Sequence, residues 1–201
     1  MSIDISIVTN TWKRHKQLVQ CIEFAKSQRC DLSWEHIIVS DGVDLEVKAI
    51  CDYYGVQSAC VPRDENQGSS NGHHAKDVGI SLALGDYLVL WDDDNFYFDN
   101  ALKTLHETTK GHDIGVCGAT YYKKHRNEEY PNIFFNIPQK WTGDFVLGDI
   151  DTMNVCVSTK LAKTVNWNET KLYEGDYIWL KKLCKNNISI NYSPERIGLK
   201  L

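Results

Sequence analysis

Residues 87–91 read Tyr-Leu-Val-Leu-Trp and run directly into Asp92, Asp93 and Asp94. Five apolar residues with no polar alternation, entered through Gly85 and Asp86, predict a strand covered on both faces, as in a parallel sheet with helices on either side. Few architectures supply two covering layers, so this run alone points to an α/β fold. Three carboxylates at the exit of such a strand must then lie at the sheet's carboxyl edge, where open α/β sheets bind ligands.

The first half of the chain repeats the pattern. Residues 3–9 alternate like a strand, and residues 14–27 place Leu18, Cys21, Ile22 and Ala25 at helical spacing. A short strand at 36–40 ends in Asp41-Gly42, a helix from about residue 45 closes at Gly55, and a third strand spans 56–61. After a polar, glycine-bearing stretch at 63–72, a helix at 75–84 leads into the 86–91 strand. Right-handed crossovers between these strands predict a mostly parallel, Rossmann-like first half, with Asn10, Asp41, Asn66 and Asp92 to Asp94 at its ligand-binding edge. The second half is less regular. It carries a helix near 100–109, strands at 114–120 and 152–158, a helix at 177–185 and a closing strand at 188–192. No repeat or low-complexity tract interrupts the 201 residues, which predicts one domain.

Several functions are disfavoured. With 22 Lys and Arg against 27 Asp and Glu, and no basic cluster, the chain lacks what a nucleic-acid backbone requires. No apolar stretch approaches the ~20 residues of a membrane span, and the opening Met-Ser-Ile-Asp has neither a basic nor an apolar leader pattern, so neither insertion nor secretion is expected. The seven cysteines are scattered without a Cys-x-x-Cys pair, which argues against a zinc site or disulfide framework and fits a reducing, cytoplasmic setting.

The carboxylates at 92–94 are the sharpest chemical signal. Crowded carboxylates repel unless positive charge sits among them. Their hard oxygens suit Mg²⁺ or Mn²⁺, and the alternate residues Asp92 and Asp94 are spaced to share one ion. A helix-capping acidic turn is the plain alternative.

In the context of their neighbours these residues resemble a known family. Gly79-Ile-Ser-Leu-Ala-Leu-Gly-Asp-Tyr87, followed by Leu-Val-Leu-Trp-Asp-Asp-Asp94, is similar to the core of family 2-type, GT-A fold glycosyltransferases, with their Ala-x-Gly-(Asp/Glu)-Tyr turn and Asp-x-Asp metal motif. Ser6 to Arg14 resembles the family's first strand and its Pro-Thr-Tyr-Asn-Arg turn; Asn10, Trp12 and Lys13 depart from it and Thr11 and Arg14 match. Residues 37–42 resemble the second strand, whose terminal Asp contacts the nucleotide base. Asn66-x-Gly68 matches an Asn-x-Gly, and Ala75-Lys-Asp-Val-Gly79 stands for Ala-Arg-Asn-x-Gly. The spacing between these last two pieces is about four residues longer than usual. Tyr173 to Leu180 looks like the helix start whose acidic residue is the catalytic base, which makes Asp176 the first candidate and Glu174 the second.

The resemblance implies an inverting, metal-dependent glycosyltransferase (EC 2.4 class), using Mn²⁺ or Mg²⁺ and a nucleotide-diphosphate sugar, with UDP the expected nucleotide, and a glycan or other hydroxyl acceptor. It further implies donor contacts from Thr9, Asn10, Thr11, Arg14, Asp41, Lys76, Asp92 and Asp93, metal ligands Asp92 and Asp94, a donor half at about 1–98 and an acceptor half at about 99–201. Trp141, Tyr121 and Tyr122 are candidates for a sugar-stacking platform, and His73 and His74 are left out of the metal set. At this length the chain is also consistent with one domain of a larger protein. Two other readings stand beside this one. A sugar-phosphate nucleotidyltransferase predicts a glycine-rich loop after the first strand, and residues 10–16 contain no glycine. A catalytically inactive sugar or nucleotide binder has no need of the carboxylates at 92–94 together with Asp176.

Overall fold

The computed structural model describes residues 2–63, 72–123, 133–167, 174–185 and 187–201. The first half follows the predicted order: β1 (Ile5–Thr11), α1 (His15–Lys26), β2 (Trp34–Asp41), α2 (Leu45–Tyr54), β3 (Gln57–Val61), α3 (His73–Leu82) and β4 (Tyr87–Leu90). Asp44 caps α2, its carboxylate accepting from the amides of Glu46 and Val47, and the helix ends on Gly55 in a left-handed conformation. Then come β5 (Phe96–Tyr97), α4 (Ala101–Thr109), β6 (Ile114–Lys123), β7 (Ile133–Ile137), a 3-10 turn at Thr152–Asn154, β8 (Val155–Ser158), α5 (Thr159–Ala162), α6 (Gly175–Leu183) and β9 (Ile190–Lys200).

Among the described residues these strands form one sheet in the order β3-β2-β1-β4-β8-β6-β9-β5, with β7 paired to β6. β3, β2, β1 and β4 are mutually parallel, as predicted. From β8 onward antiparallel pairs enter, so the complete sheet is mixed. The closing strand also continues past the predicted end at residue 192 to Lys200, and β5, β7 and α5 join elements that periodicity alone marks.

Alternating side chains feed two layers. Ile5, Ile7, Val89 and Trp91 pack with Cys21 and Ala25 of α1 and Leu102 and Leu105 of α4. Val8, Ile37, Val39, Leu88 and Leu90 face the opposite layer, with Ala75 and Ile80 of α3 and Trp179 and Leu180 of α6. β4 therefore buries both faces, the physical reason its sequence shows no alternation. Because β2 lies on one side of β1 and β4 on the other, chain direction splits at the carboxyl ends of β1 and β4 and opens a crevice there.

One buried polar pair sits beneath that crevice. His36 Nε2 lies 3.0 Å from Thr9 Oγ1, and both residues are buried. Burial pushes the His36 pKa down to about 3 from its ordinary 6.5. The imidazole thus stays neutral in the fold while the unfolded chain protonates below pH 6.5, so stability falls as the solution is acidified. Between pH 6.5 and 5 this one group is expected to remove about 2 kcal/mol. Urea unfolding at pH 7 and pH 5 should show that loss in the wild type and a smaller one in His36→Leu; equal acid sensitivity in both proteins would exclude His36 as the source.

Candidate active site

A cleft of about 630 Å³ opens at the carboxyl edge of the first-half strands. Asn10, Thr11, Trp12 and Arg14 enter it from the end of β1, Asp41 from β2, Arg63 from beyond β3, and Asp92 and Asp94 from beyond β4. The opposite wall carries His73 and Lys76 of α3 and Glu174 and Asp176 at the start of α6.

The three consecutive carboxylates do different things. Asp93 turns inward: its side chain is fully buried, Thr11 Oγ1 donates to Oδ2 at 2.6 Å, and Arg14 Nη1 lies 3.2 Å from Oδ1. Burial raises its pKa to about 6 against the opposing pull of Thr11 and Arg14. Arg14 also pairs with Asp94. Asp92 and Asp94 keep 26% and 46% of their side chains exposed and face the cleft. A tight bend thus spaces two carboxylates toward solvent and uses the middle one to brace the loop against β1.

Two expected donor contacts lie behind the cleft instead of in it. Asp93 is consumed by the brace just described, and Thr9 is buried against His36 and Cys21. Thr9 lies on the β1 face that carries Ile5 and Ile7, a pleat short of the strand's end, and so meets Cys21 of α1 instead of the cleft. Asn66 and Gly68 lie outside the described residues.

At one end, Arg63 Nη1 donates to Asp41 Oδ2 at 2.8 Å and its guanidinium stacks 4.3 Å over the Trp12 ring. Gly42, at φ 115°, underlies the same ring; a Cβ there would come within 2.5 Å of a ring carbon. Lys13 holds a left-handed φ of 52°, which an Asn at that position of the family turn adopts more readily. Arg63 carries no motif, so only its place after β3 could have flagged it.

In the middle, the Lys76 ammonium is buried, 3.7 Å from Asp92 Oδ1, 3.5 Å from Asp176 Oδ1 and 4.5 Å over the Trp167 ring. Burial alone would lower its pKa, but Asp176 and Asp92 together hold it above the ordinary lysine value. One cation thus joins the carboxylate at the β4 exit to the carboxylate at the start of α6. Asp176 also accepts from Thr152 Oγ1 at 3.4 Å. α3 and α6 both begin at the cleft, and the close seat of Gly175 over His73, where a Cβ would lie 2.7 Å from Nε2, sets their spacing.

The far end is more apolar, with Tyr121, Ile137, Leu147 and Tyr177, and holds a Lys200–Asp151 ion pair. Tyr121 alone of the three aromatic candidates lines the cleft. Trp141 stacks on Tyr192 and Tyr122 packs with Phe134.

Asp92 and Asp94 fit a hard divalent cation by donor chemistry, being accessible carboxylates with cations beside them. Among the described residues no group of three His, Cys, Asp or Glu side chains converges on a common point. Mg²⁺ or Mn²⁺ held here would complete its shell with substrate phosphate and water, the usual arrangement for such ions.

Residues 6–167 match the family described as Glycosyl transferase family 2. Glycosyltransferase GlyG of Streptococcus pneumoniae serotype 4 is 30% identical over 137 residues, 68% of this chain and 44% of GlyG. Among solved structures, S. aureus TarS aligns with a TM-score of 0.73 at 14% identity over 98% of this chain and 36% of that one. TarS 1-349 in complex with UDP-GlcNAc aligns at 0.70 and 15% identity, over 99% of this chain and 59% of that one. The mannosyltransferase PcManGT from Pyrobaculum calidifontis, solved with GDP-Man and Mn²⁺, aligns at 0.64 and 12% identity over 100% of this chain and 57% of that one. At these identities the structures establish the shared GT-A type α/β fold. The chain spans less than half the length of the curated relative it matches.

Proposed function

The chain belongs to glycosyl transferase family 2, and from that premise we propose that it transfers a sugar from a nucleotide-diphosphate donor to an acceptor hydroxyl with inversion at the anomeric carbon. The observation that supports this best is Lys76, whose ammonium lies 3.7 Å from Asp92 and 3.5 Å from Asp176, so that the two carboxylates face one another across a single cleft.

In this reading residues 1–98 hold the donor and residues 99–201 the acceptor. The base lies against Trp12, with Asp41 and Arg63 at its polar edge, and Asn10 and Thr11 lie alongside the nucleoside. Arg14, Lys76 and the amino end of α3 face the diphosphate, where positive charge and a helix N-terminus both favour an anion. Asp92 and Asp94 would hold Mn²⁺ or Mg²⁺, which would supply positive charge against the charge developing on the leaving diphosphate. Asp176 takes the proton of the acceptor hydroxyl as its oxygen bonds to the anomeric carbon and the bond to the diphosphate oxygen breaks. The cleft orients the anomeric carbon between base and leaving group, which is where much of the rate gain of such a reaction arises. UDP-GlcNAc bound to TarS and GDP-Man bound to PcManGT support a nucleotide-sugar donor, with UDP the first to try. No helix among the described residues is long and apolar enough to cross a membrane.

Calorimetric titration with UDP, GDP and dTDP, each with and without Mn²⁺, tests this. One nucleotide is expected to bind more tightly with Mn²⁺, and the Asp92→Ala/Asp94→Ala protein to lose at least about tenfold in that affinity, the worth of one charged contact. If no nucleotide binds, or if binding ignores both metal and mutation, the transferase reading falls.

A further inference from the structure

The Lys200–Asp151 pair belongs to neither the metal motif nor the helix that carries Asp176, yet it faces the same cleft. Three contacts fix the backbone of Lys200 there. Residue 200 is in register with Tyr121 of β6. Leu199 and Gly198 pair with Phe96 and Tyr97 of β5, and the Leu201 amide donates to Asn95 Oδ1 at 3.3 Å. Asn95 directly follows Asp94, so the end of β9 is tied to the loop that presents Asp92 and Asp94.

The ammonium itself is less constrained. Its side chain is 32% exposed, whereas Asp151 is 3% exposed and is also held by the Met153 amide, which donates to it at 3.0 Å. Burial pulls the Lys200 pKa below the ordinary lysine value, with Asp92 and Asp94 favouring the charged form and Lys76 opposing it. Besides Asp151, the ammonium lies 5.7 Å over the Tyr121 ring. Arg14 and Lys76 are more heavily committed, each to two carboxylates, Arg14 to Asp93 and Asp94 and Lys76 to Asp92 and Asp176, while Arg63 pairs with Asp41 over the Trp12 ring. A diphosphate arriving beside Asp92 and Asp94 adds negative charge to a place already rich in it, and an ammonium on a flexible stem is the group best able to follow it.

We propose that Lys200 is a donor-binding residue whose ammonium moves from Asp151 to the diphosphate of the nucleotide sugar, with Asp151 as the positioning residue that holds it at the cleft beforehand. The proposal rests on the transferase reading above and adds to it one donor contact from the half otherwise given to the acceptor. After the exchange Asp151 keeps the Met153 amide on Oδ1 but gives up Lys200 at Oδ2, a cost for a buried carboxylate that the contact with the diphosphate must offset.

The test compares a nucleoside diphosphate with its nucleoside. UDP and uridine, and GDP and guanosine, are titrated into wild type, Lys200→Met and Lys200→Arg in the presence of Mn²⁺. Lys200→Met is expected to weaken the diphosphate about tenfold, as loss of one charged hydrogen bond does. Nucleoside affinity should remain unchanged, Lys200→Arg should recover most of the loss, and the salt dependence of diphosphate binding should become shallower in Lys200→Met. A purely structural Lys200 would weaken nucleoside and diphosphate alike, or lower the melting temperature without separating them, and either result overturns the proposal. Equal diphosphate affinity in wild type and Lys200→Met overturns it while leaving the transferase reading intact. If the wild type binds no nucleotide, both fall together.

Discussion

Asp176→Asn should lower the rate of sugar transfer about a thousandfold, within the range a positioned general base contributes, while leaving nucleotide affinity within about threefold of wild type. The substitution preserves the shape of the side chain and an oxygen that Thr152 can donate to, so the start of α6 has no reason to move. What it removes is the ability to take a proton, together with one of the two carboxylates facing Lys76. Glu174 lines the same cleft from the N-cap position of α6 but makes no cap hydrogen bond, and Lys76 pairs with Asp176 and Asp92, not with it. Glu174→Gln is therefore expected to cost less than about tenfold in rate, too little for loss of a general base. Single-turnover measurements with saturating donor separate the chemical step from binding. A full rate in Asp176→Asn with a collapsed rate in Glu174→Gln would exchange the two roles, and full rates in both would remove the base from this helix altogether.

How much of this could be read from the residues depends on where in the sheet they lie. β4, covered on both faces, leaves an unbroken apolar run, while β1 shows as an alternating strand and β2 as a short apolar one. The same strands deliver Thr11, Asp41, Asp92 and Asp94 to one edge because the carboxyl ends of parallel neighbours coincide. Arg14 reaches Asp93 and Asp94 for that reason, although 79 and 80 positions separate them in the chain.

The second half hides its contributions. β9 contains Pro194, Glu195 and Arg196, a run that ends any strand pattern. In the sheet its register against β6 slips there, Cys117 facing Ser193 and Gly118 facing Arg196. Pro and a bulge share that place because a bulge leaves residues unpaired. Gly118 makes room, since a Cβ would meet the Pro194 carbonyl oxygen at 2.7 Å. Beyond the bulge the strand resumes and brings Lys200 to the cleft, which no periodicity could announce. Arg63 and Asp151 are hidden in the same way: each meets side chains distant in sequence, Asp41 and Trp12 for one and Lys200 for the other, and no spacing rule connects them.

Gly85→Ala is expected to destabilise the protein by at least about 3 kcal/mol, toward the upper end of what overpacking costs, and to lower its melting temperature by about 10 °C. The added Cβ would stand 2.6 Å from the Ser6 amide nitrogen and 2.7 Å from the Ile5 carbonyl carbon, both backbone atoms that no rotamer change can move aside. The site is also a junction. The Gly85 amide donates to Ser6 Oγ at 2.8 Å, Ser6 Oγ donates to Glu35 Oε1 at 2.6 Å, and the Leu84 amide donates to the same oxygen at 2.7 Å. These bonds seat the turn between α3 and β4 on the starts of β1 and β2, and so set the register that pairs Ile5 with Tyr87 and Val8 with Leu90. Relief of the clash requires the turn, and with it the start of β4, to shift against β1. That shift would pull Asp93 from Thr11 and Arg14 and Asp94 from Arg14, displacing the loop that presents Asp92 and Asp94, so the variant should lose transfer rate even at temperatures where it stays folded, since misplacement by about 1 Å can cost on the order of a hundredfold. Gly111→Ala is the matching control, because its φ of 81° makes any side chain strained but nothing lies within 4 Å of the new Cβ. It should cost about 1–2 kcal/mol and no activity. If Gly85→Ala melts within about 2 °C of wild type, a loss of about 1 kcal/mol or less in a chain of this size, the contact between the turn and β1 is soft and does not hold β4 in register.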